Sequence, residues 1–176
     1  MVFRHSNKQV LQKCRRGNHL GSIELIDDHG WIVSILNQPE MLERIAEYGQ
    51  KFKFDYSTVK QMADSGYMLG WVVDGKITGF YWVHPFTYSI LQIHAHFPKQ
   101  TRQYAKQSGK AMLQWLQNNV PSHYKRFIAM IPDCYQDVIG FSNREGLQHT
   151  GTIQQAAYRN GQCYDLTILG VNREAI

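Results

Sequence analysis

The stretch "ILQIHAHFPKQTRQYAKQSGKAMLQWL", residues 90–116, joins a strand pattern to a helix pattern through a basic connection. Apolar and polar residues alternate up to Pro98, which predicts a strand over residues 88–97. Residues 105–118 repeat apolar side chains at helical spacing and predict an amphipathic helix. A further apolar run at residues 124–132 predicts another strand. A strand, a crossover helix and a strand imply two parallel neighbours in one sheet.

Two dipeptide turns organise much of the remaining chain into hairpins. An Asp-Gly pair at 74–75 and an Asn-Gly pair at 160–161 each separate two apolar runs. Both dipeptides are strong signals for antiparallel hairpins. The order of helices, three antiparallel strands, helix, strand, helix and hairpin predicts a mixed α/β domain of the α+β class. Its sheet is expected to be mostly antiparallel with one parallel pair.

The predicted helices have recognisable boundaries. Two short helices are expected before the first hairpin, one following Pro39 and one within residues 55–66. A later helix is expected to be capped by Asp133 and ended by Gly146. These boundaries leave no long linker and no internal repeat in the chain.

Composition is typical of a single globular domain. The chain has 176 residues, of which 43% are hydrophobic and 19% charged. No apolar run approaches the roughly 18 residues of a membrane span, and the start lacks the apolar core of a signal peptide. Cys14, Cys134 and Cys163 are widely separated and odd in number, which favours reduced thiols over a disulfide framework or a zinc site. We therefore expect a cytoplasmic protein without a membrane partner.

The net charge of +5 is concentrated at the beginning of the chain. Residues 1–22 contain five cations and no acid: Arg4, Lys8, Lys13, Arg15 and Arg16. This predicts a basic arm over residues 1–22 and a domain over residues 23–176. The arm is either a solvated leader or a tether for a polyanion or an acidic protein surface. Nucleic-acid binding is the weaker interpretation, because Phe3 is the arm's one aromatic residue.

Four stretches together resemble the GNAT (Gcn5-related N-acetyltransferase) superfamily over roughly residues 23–170. They are "DGKITGFYWV" (74–83), "ILQIHAHFPKQTRQYAKQSGKAMLQWL" (90–116), "KRFIAMIPDCYQDVIGFSNREGLQHTG" (125–151) and "RNGQCYDLTILGVNRE" (159–174). The resemblance implies a GNAT-like fold whose parallel strands four and five splay to hold coenzyme A. It also implies an acetyl-CoA-dependent acyltransferase acting on an amine. More narrowly, "ILNQPEMLERIAE" and "IHAHF" resemble GNAT-like proteins of tailed phages, some of which are associated with head assembly.

The resemblance also implies a phosphate-binding loop at the start of the helix over 105–118. The family pattern Arg/Gln-x-x-Gly-x-Gly/Ala fits in two registers, one beginning at Arg102 and one at Lys106. The first is favoured because it places Gly109 inside the helix, where a small residue permits close packing. The implied coenzyme-binding residues are His96, Phe97, Arg102, Gln103, Tyr104, Ala105, Lys106, Ser108 and Gly109. Alternatively, the cations of this region form an exposed basic helix face.

The candidate catalytic residues are a base and an acid. Acetyl transfer requires a neutral amine, and alternation on the strand places His94 and His96 on one face, where either imidazole could remove a proton. The family's tyrosine acid is replaced by Ser142, while Tyr135 lies further upstream in the same predicted helix. The histidines could equally be hydrogen-bonded structural residues, and Tyr135 could simply pack. No metal site is predicted, because the two histidines lack a third ligand at a supporting spacing.

Two functions of different classes follow. The first is an acetyl-CoA-dependent N-acetyltransferase whose acceptor is a small-molecule or protein amine. The second is a catalytically degenerate GNAT-fold binding or assembly factor, for example in phage head assembly. The aromatic residues of the central hairpin either pack in the core, line the acceptor site or support a homodimer: Trp71, Tyr81, Trp82 and Phe86.

Overall fold

The computed structural model describes residues 21–45 and 53–176. Its strands are β1 (Gly21–Leu25), β2 (Tyr67–Val73), β3 (Lys76–Pro85), β4 (Ile90–His96), β5 (Arg126–Pro132), β6 (Gln148–Arg159) and β7 (Gln162–Asn172). Its α-helices are α1 (His29–Leu36), α2 (Pro39–Ile45), α3 (Tyr56–Asp64), α4 (Ala105–Asn119) and α5 (Gln136–Arg144). Two 3₁₀ helices, Lys99–Tyr104 and Arg173–Ala175, complete the described elements.

The seven strands form one sheet in the order β1-β2-β3-β4-β5-β7-β6. Only the β4–β5 pair is parallel among these strands, and the other neighbours are antiparallel. The turns at 74–75 and 160–161 connect the predicted hairpins, and their four residues have positive φ. The α+β fold with one parallel pair is therefore confirmed.

The parallel strands β4 and β5 separate along their length. They are paired from Ile90 with Arg126 to Gln92 with Ile128, and the pairing ends there. Each strand continues beyond this point, β4 to His96 and β5 to Pro132. A gap therefore opens between the carboxyl ends of two neighbouring strands.

The sheet is covered on both faces by apolar side chains. On one face α4 packs over a core that includes Trp71, Tyr81, Leu91, Met112 and Phe127. On the other face α1, α2 and α3 pack over a smaller core that includes Ile32, Leu36, Met41, Val59, Met68 and Phe80. The two faces arise from strand alternation, since adjacent residues such as Phe80 and Tyr81 point to opposite sides. Of the aromatic residues of the hairpin, Trp71 and Tyr81 are buried and Phe86 is exposed.

The structure corrects three local expectations. An additional helix, α1, precedes Pro39, so three helices rather than two come before the first hairpin. The connection after Pro98 is a 3₁₀ helix rather than an irregular loop. The N-cap of α5 is Tyr135 and not Asp133, whose carboxylate instead accepts a hydrogen bond from the Thr167 hydroxyl.

Part of the predicted basic arm, residues 1–20, lies outside the described residues, so the arm stays a prediction. The first described strand begins at Gly21, and its pairing with Val73 of β2 belongs to the domain. Cys134 and Cys163 are free and exposed. No helix within the described part of the chain is long and apolar enough to cross a membrane.

Arg173 holds the end of α4 against the chain's last strand. Its guanidinium donates to the carbonyl oxygens of Gln117, Val120 (3.0 Å), Pro121 (2.8 Å) and Tyr124 (3.4 Å). Replacing Arg173 with alanine removes these charge-assisted donors at once. We expect the free energy of unfolding, measured in urea, to fall by about 2 kcal/mol.

A matched control is Arg126→Ala, which removes one guanidinium bond to the Asn172 side chain (3.1 Å). We expect this variant to lose less than about 1 kcal/mol. Equal losses for the two variants would contradict the role assigned to Arg173.

Candidate functional site

The gap between β4 and β5 opens into a cleft of about 780 Å³. Its walls are the diverging ends of β4 and β5, the beginning of α4 and one side of α5. From the opposite face of the sheet, α2 contributes Met41, Arg44 and Ile45 to the lining. The cleft therefore lies where the sheet, two helices and the α1–α3 layer meet.

The histidines of β4 lie on the cleft side that faces α1–α3. His94 pairs with Trp82 and His96 with Phe80 across the β3–β4 ladder. The rings of Trp82 and His94 stack with centroids 4.9 Å apart, and those of Phe80 and His96 are tilted by 30° with centroids 4.7 Å apart. Both imidazoles line the cleft. They lie on the same face of β4, as the alternation in the sequence predicts.

Both imidazoles are neutral at pH 7. Burial, together with a smaller effect of the nearby His84, lowers the pKa of His94 to about 4. Burial likewise lowers the pKa of His96 to about 3. The Nε2 atom of His96 is buried and has no hydrogen-bond partner among the described residues. A buried polar atom on a cleft wall without a protein partner indicates a place for a ligand atom or an ordered water.

The N-terminus of α4 reaches the cleft with two cations. The N-cap, Tyr104, makes no side-chain capping bond to α4. Arg102 and Lys106 line the cleft together with Ala105 and Gly109. A helix N-terminus flanked by cations is favourable for an anionic group.

Three of the predicted coenzyme-binding residues lie away from the cleft lining: Gln103, Tyr104 and Ser108. Ser108 is fully buried, donates to the Ala105 carbonyl at 2.9 Å and shares a 2.5 Å hydrogen bond with the Tyr81 hydroxyl. Ser108 thus connects α4 to β3 in the core. Phe97 is buried at the cleft wall, where its ring contacts Tyr81 edge-on at 5.4 Å.

Glu145 is a cleft residue that the sequence reasoning missed. Its side chain packs against α4, where a Cβ on Gly109 would lie 2.5 Å from Glu145 Cγ. Its Oε2 atom accepts a hydrogen bond from the Lys110 backbone N–H at 3.0 Å. Burial raises the pKa of this carboxyl group. The one available signal was an acid directly before the Gly146 turn, a position that sequence alone does not mark as buried.

The two candidate acids also line the cleft. Ser142 is buried on α5. Tyr135 is half-buried, its hydroxyl donates to the Glu43 carbonyl at 3.3 Å, and the Arg44 guanidinium lies 5.5 Å from its ring centroid. Burial is the main cause that raises the pKa of the Tyr135 phenol. The structure thus brings both candidates to the same cleft as His94.

Helix α2 spans the cleft through contacts to both sides. Glu40 Oε1 accepts from the Lys99 backbone N–H at 2.9 Å, at the start of the 3₁₀ helix. Arg44 pairs with Asp137 of α5 at 3.2 Å. These contacts hold α2 over one side of the cleft. Sequence reasoning did not identify them.

Metal binding has no support in the described ranges, 21–45 and 53–176. Within them, no group of three or more His, Cys, Asp or Glu side chains is arranged to hold a metal ion. His84 and His94 approach each other without a third ligand of this kind.

The comparisons with known proteins establish family and fold. The family model described as "Protein of unknown function (DUF2824)" matches residues 24–176. The chain belongs to this family. No curated protein matches its sequence.

Solved structures show that the fold is that of GNAT acetyltransferases. The spermidine N-acetyltransferase from Vibrio cholerae, in complex with CoA and spermine, superposes with a TM-score of 0.72 at 6% identity, covering 88% of this chain and 96% of that chain. The protein yncA from Salmonella typhimurium, with its cofactor acetyl-CoA, gives 0.71 at 16% identity over 87% and 94%. The ribosomal-protein-alanine N-acetyltransferase from Brucella melitensis gives 0.70 at 15% identity over 85% and 98%.

Proposed function

We propose that this chain is an acetyl-CoA-dependent N-acetyltransferase with an amine acceptor of unidentified structure. The separation of β4 from β5 beyond Gln92 and Ile128 carries the proposal. It leaves backbone groups of two strands facing a cleft that leads to the N-terminus of α4. A ligand with an extended arm that ends in a diphosphate matches both features, because the strand edges offer backbone hydrogen bonds and the helix end favours anions.

The residues present fit coenzyme A in charge and in hydrogen bonding. Arg102 and Lys106 would hold the phosphates at the N-terminus of α4, and the backbone of residues 94–98 would bind the extended arm. The orphaned Nε2 of His96 provides a further polar atom on the wall. In support, two proteins of the same fold contain CoA or acetyl-CoA in their structures.

In the proposed reaction, residues of this chain transfer protons while the acetyl group moves from acetyl-CoA to the amine. Acetyl-CoA supplies the acetyl group as a thioester; the new N–C bond forms as the C–S bond breaks. His94 accepts the proton that the amine loses, because its imidazole is neutral at pH 7. The departing sulfur gains a proton, for which Tyr135 is the stronger candidate and Ser142 a hydrogen-bond donor.

The proposal is tested first by binding. Isothermal titration with acetyl-CoA should show saturable binding, and saturating ligand should raise the melting temperature. We expect Arg102→Ala to weaken binding by roughly 10-fold, because it removes a cation at the phosphate end. His94→Ala should change the affinity less.

The matched control for Arg102→Ala is Lys76→Ala. Lys76 is an exposed cation at the start of β3 and does not line the cleft. If the two cation variants bind acetyl-CoA equally well, Arg102 does not contact the phosphates. Equal affinities for Arg102→Ala and His94→Ala would also contradict the assigned register.

Catalysis is then tested by thiol release from acetyl-CoA with a panel of amines. Spermidine, spermine and a peptide with a free amino terminus represent small-molecule and protein acceptors. Turnover with any of them supports the transferase. Binding without turnover for the whole panel would favour the degenerate binding factor. The narrower resemblance to phage head-assembly proteins, the homodimer and the tether role of residues 1–22 stay predictions.

A further inference from the structure

His84 lies beside the proposed base and has no role in the function described so far. It lies on β3, two residues after Trp82, and its Nε2 atom is 3.1 Å from Nε2 of His94. Trp82 stacks on both rings, with centroids 4.2 Å from His84 and 4.9 Å from His94. The stack fixes both imidazoles in nearly parallel planes, 14° apart.

The hydrogen-bond chain through His84 determines where each proton lies. Nδ1 of His84 is 3.1 Å from the carbonyl oxygen of Pro85. A carbonyl can only accept, so this Nδ1 carries the hydrogen. Burial lowers the pKa of both His84 and His94, so both rings are neutral at pH 7. Nε2 of His84 therefore has a bare lone pair.

The hydrogen bond to His84 also determines which nitrogen of His94 carries its hydrogen. Because Nε2 of His84 can only accept, Nε2 of His94 must donate the 3.1 Å hydrogen bond between them. A neutral imidazole carries one hydrogen, which leaves Nδ1 of His94 bare. No group in the described part of the chain hydrogen-bonds this Nδ1. His94 lines the cleft, so its unprotonated nitrogen is available to a substrate.

We propose that His84 is a positioning residue, which fixes His94 in the tautomer whose Nδ1 accepts the proton. This inference rests on the proposed transferase function. When Nδ1 of His94 gains the amine proton, Nε2 of His94 keeps its hydrogen and continues to donate it to Nε2 of His84. Nδ1 of His94 then passes that proton to water in the cleft that His94 lines. One proton enters and one leaves at the same nitrogen, so the step is balanced and both rings return to their starting tautomers.

The tautomer is tested on the full chain without any ligand. In a sample with ¹⁵N-labelled histidine at pH 7.5, an N–H···N hydrogen bond gives a scalar coupling between its two nitrogens. We expect this coupling between Nε2 of His94 and Nε2 of His84, with the directly bonded hydrogen on His94. A hydrogen on Nε2 of His84, or the absence of the coupling, would overturn the proposal.

The positioning role is tested by two variants of His84. His84→Phe keeps an aromatic ring on Trp82 but removes the acceptor, and His84→Gln keeps a side-chain oxygen that can accept. We expect kcat to fall about 10-fold in His84→Phe, because His94 loses the hydrogen bond that sets its tautomer, with unchanged acetyl-CoA affinity. His84→Gln should fall between this variant and the wild type. An unchanged kcat in both variants would refute the positioning role.

The two tests separate this proposal from the proposed function. If no amine supports thiol release, the transferase fails, while the coupling measurement still decides the tautomer. If turnover occurs but the coupling is absent, the transferase stands and the role of His84 fails.

Discussion

Replacing Ala95 with tryptophan should abolish coenzyme binding without unfolding the protein. Ala95 pairs with Tyr81 near the end of β4, is exposed, and lines the cleft beyond the point where β4 and β5 separate. An indole at this position occupies space within the 780 Å³ that the coenzyme requires. We expect the acetyl-CoA affinity from isothermal titration to fall at least about 100-fold, or about 2.8 kcal/mol. Because Ala95 is exposed, its replacement overpacks no core.

The control for this effect is Lys76→Trp, which places the same side chain at an exposed β3 position outside the cleft. It should bind acetyl-CoA like the wild type. Both variants should keep the wild-type melting temperature within a few degrees. Full affinity in Ala95→Trp would mean that the coenzyme does not enter between β4 and β5. The separation of these two strands would then no longer support the proposed transferase.

Most of the fold follows from local patterns in the sequence. The Asp-Gly and Asn-Gly dipeptides predict their hairpins, because a two-residue hairpin turn needs residues that tolerate positive φ. All four turn residues have positive φ in the structure. The alternation over β4 and its end before Pro98 predict the strand and the face of His94. The crossover from β4 through α4 to β5 predicts the parallel pair, because parallel neighbours require such a connection.

The parts that sequence could not predict depend on tertiary contacts. Glu40 meets the Lys99 backbone 59 positions away, and Arg44 meets Asp137 93 positions away. No local pattern marks these contacts, so α2 was not expected over the cleft. The missed helix α1 has a different cause, since the short apolar run "WIVSIL" fits a buried strand as well as a helix.

Within the site, the pair formed by His84 and His94 also depends on tertiary contacts. Sequence alternation placed His94 and His96 on one face. The partner of His94 is instead His84, on the neighbouring strand, and this pair depends on the β3–β4 register. The register is set by the turn between the strands and by packing on both faces. A one-residue shift would turn His84 to the opposite face, so the pairing of His84 with His94 could not be inferred before the structure.

Among cleft variants that still bind acetyl-CoA, His94→Ala should reduce the rate of acetyl transfer most. The variant loses the group that accepts the amine proton, and such losses cost about 10²- to 10⁴-fold in kcat. The ring contributes no charge to coenzyme binding at pH 7, because burial lowers its pKa to about 4. We therefore expect kcat to collapse while the acetyl-CoA affinity changes less than in Arg102→Ala. Thiol release at saturating amine, together with isothermal titration, measures both quantities.

His149→Ala is the matched control, because His149 is an exposed histidine on β6 outside the cleft whose Nε2 contacts the Thr152 hydroxyl at 3.1 Å. This variant should keep wild-type turnover. A parallel variant, His96→Ala, separates the two histidines of β4. If His96→Ala loses turnover and His94→Ala retains it, the base is His96, and its orphaned Nε2 rather than Nδ1 of His94 receives the proton. Retention of turnover in both variants would exclude an imidazole base and leave deprotonation of the amine to solvent.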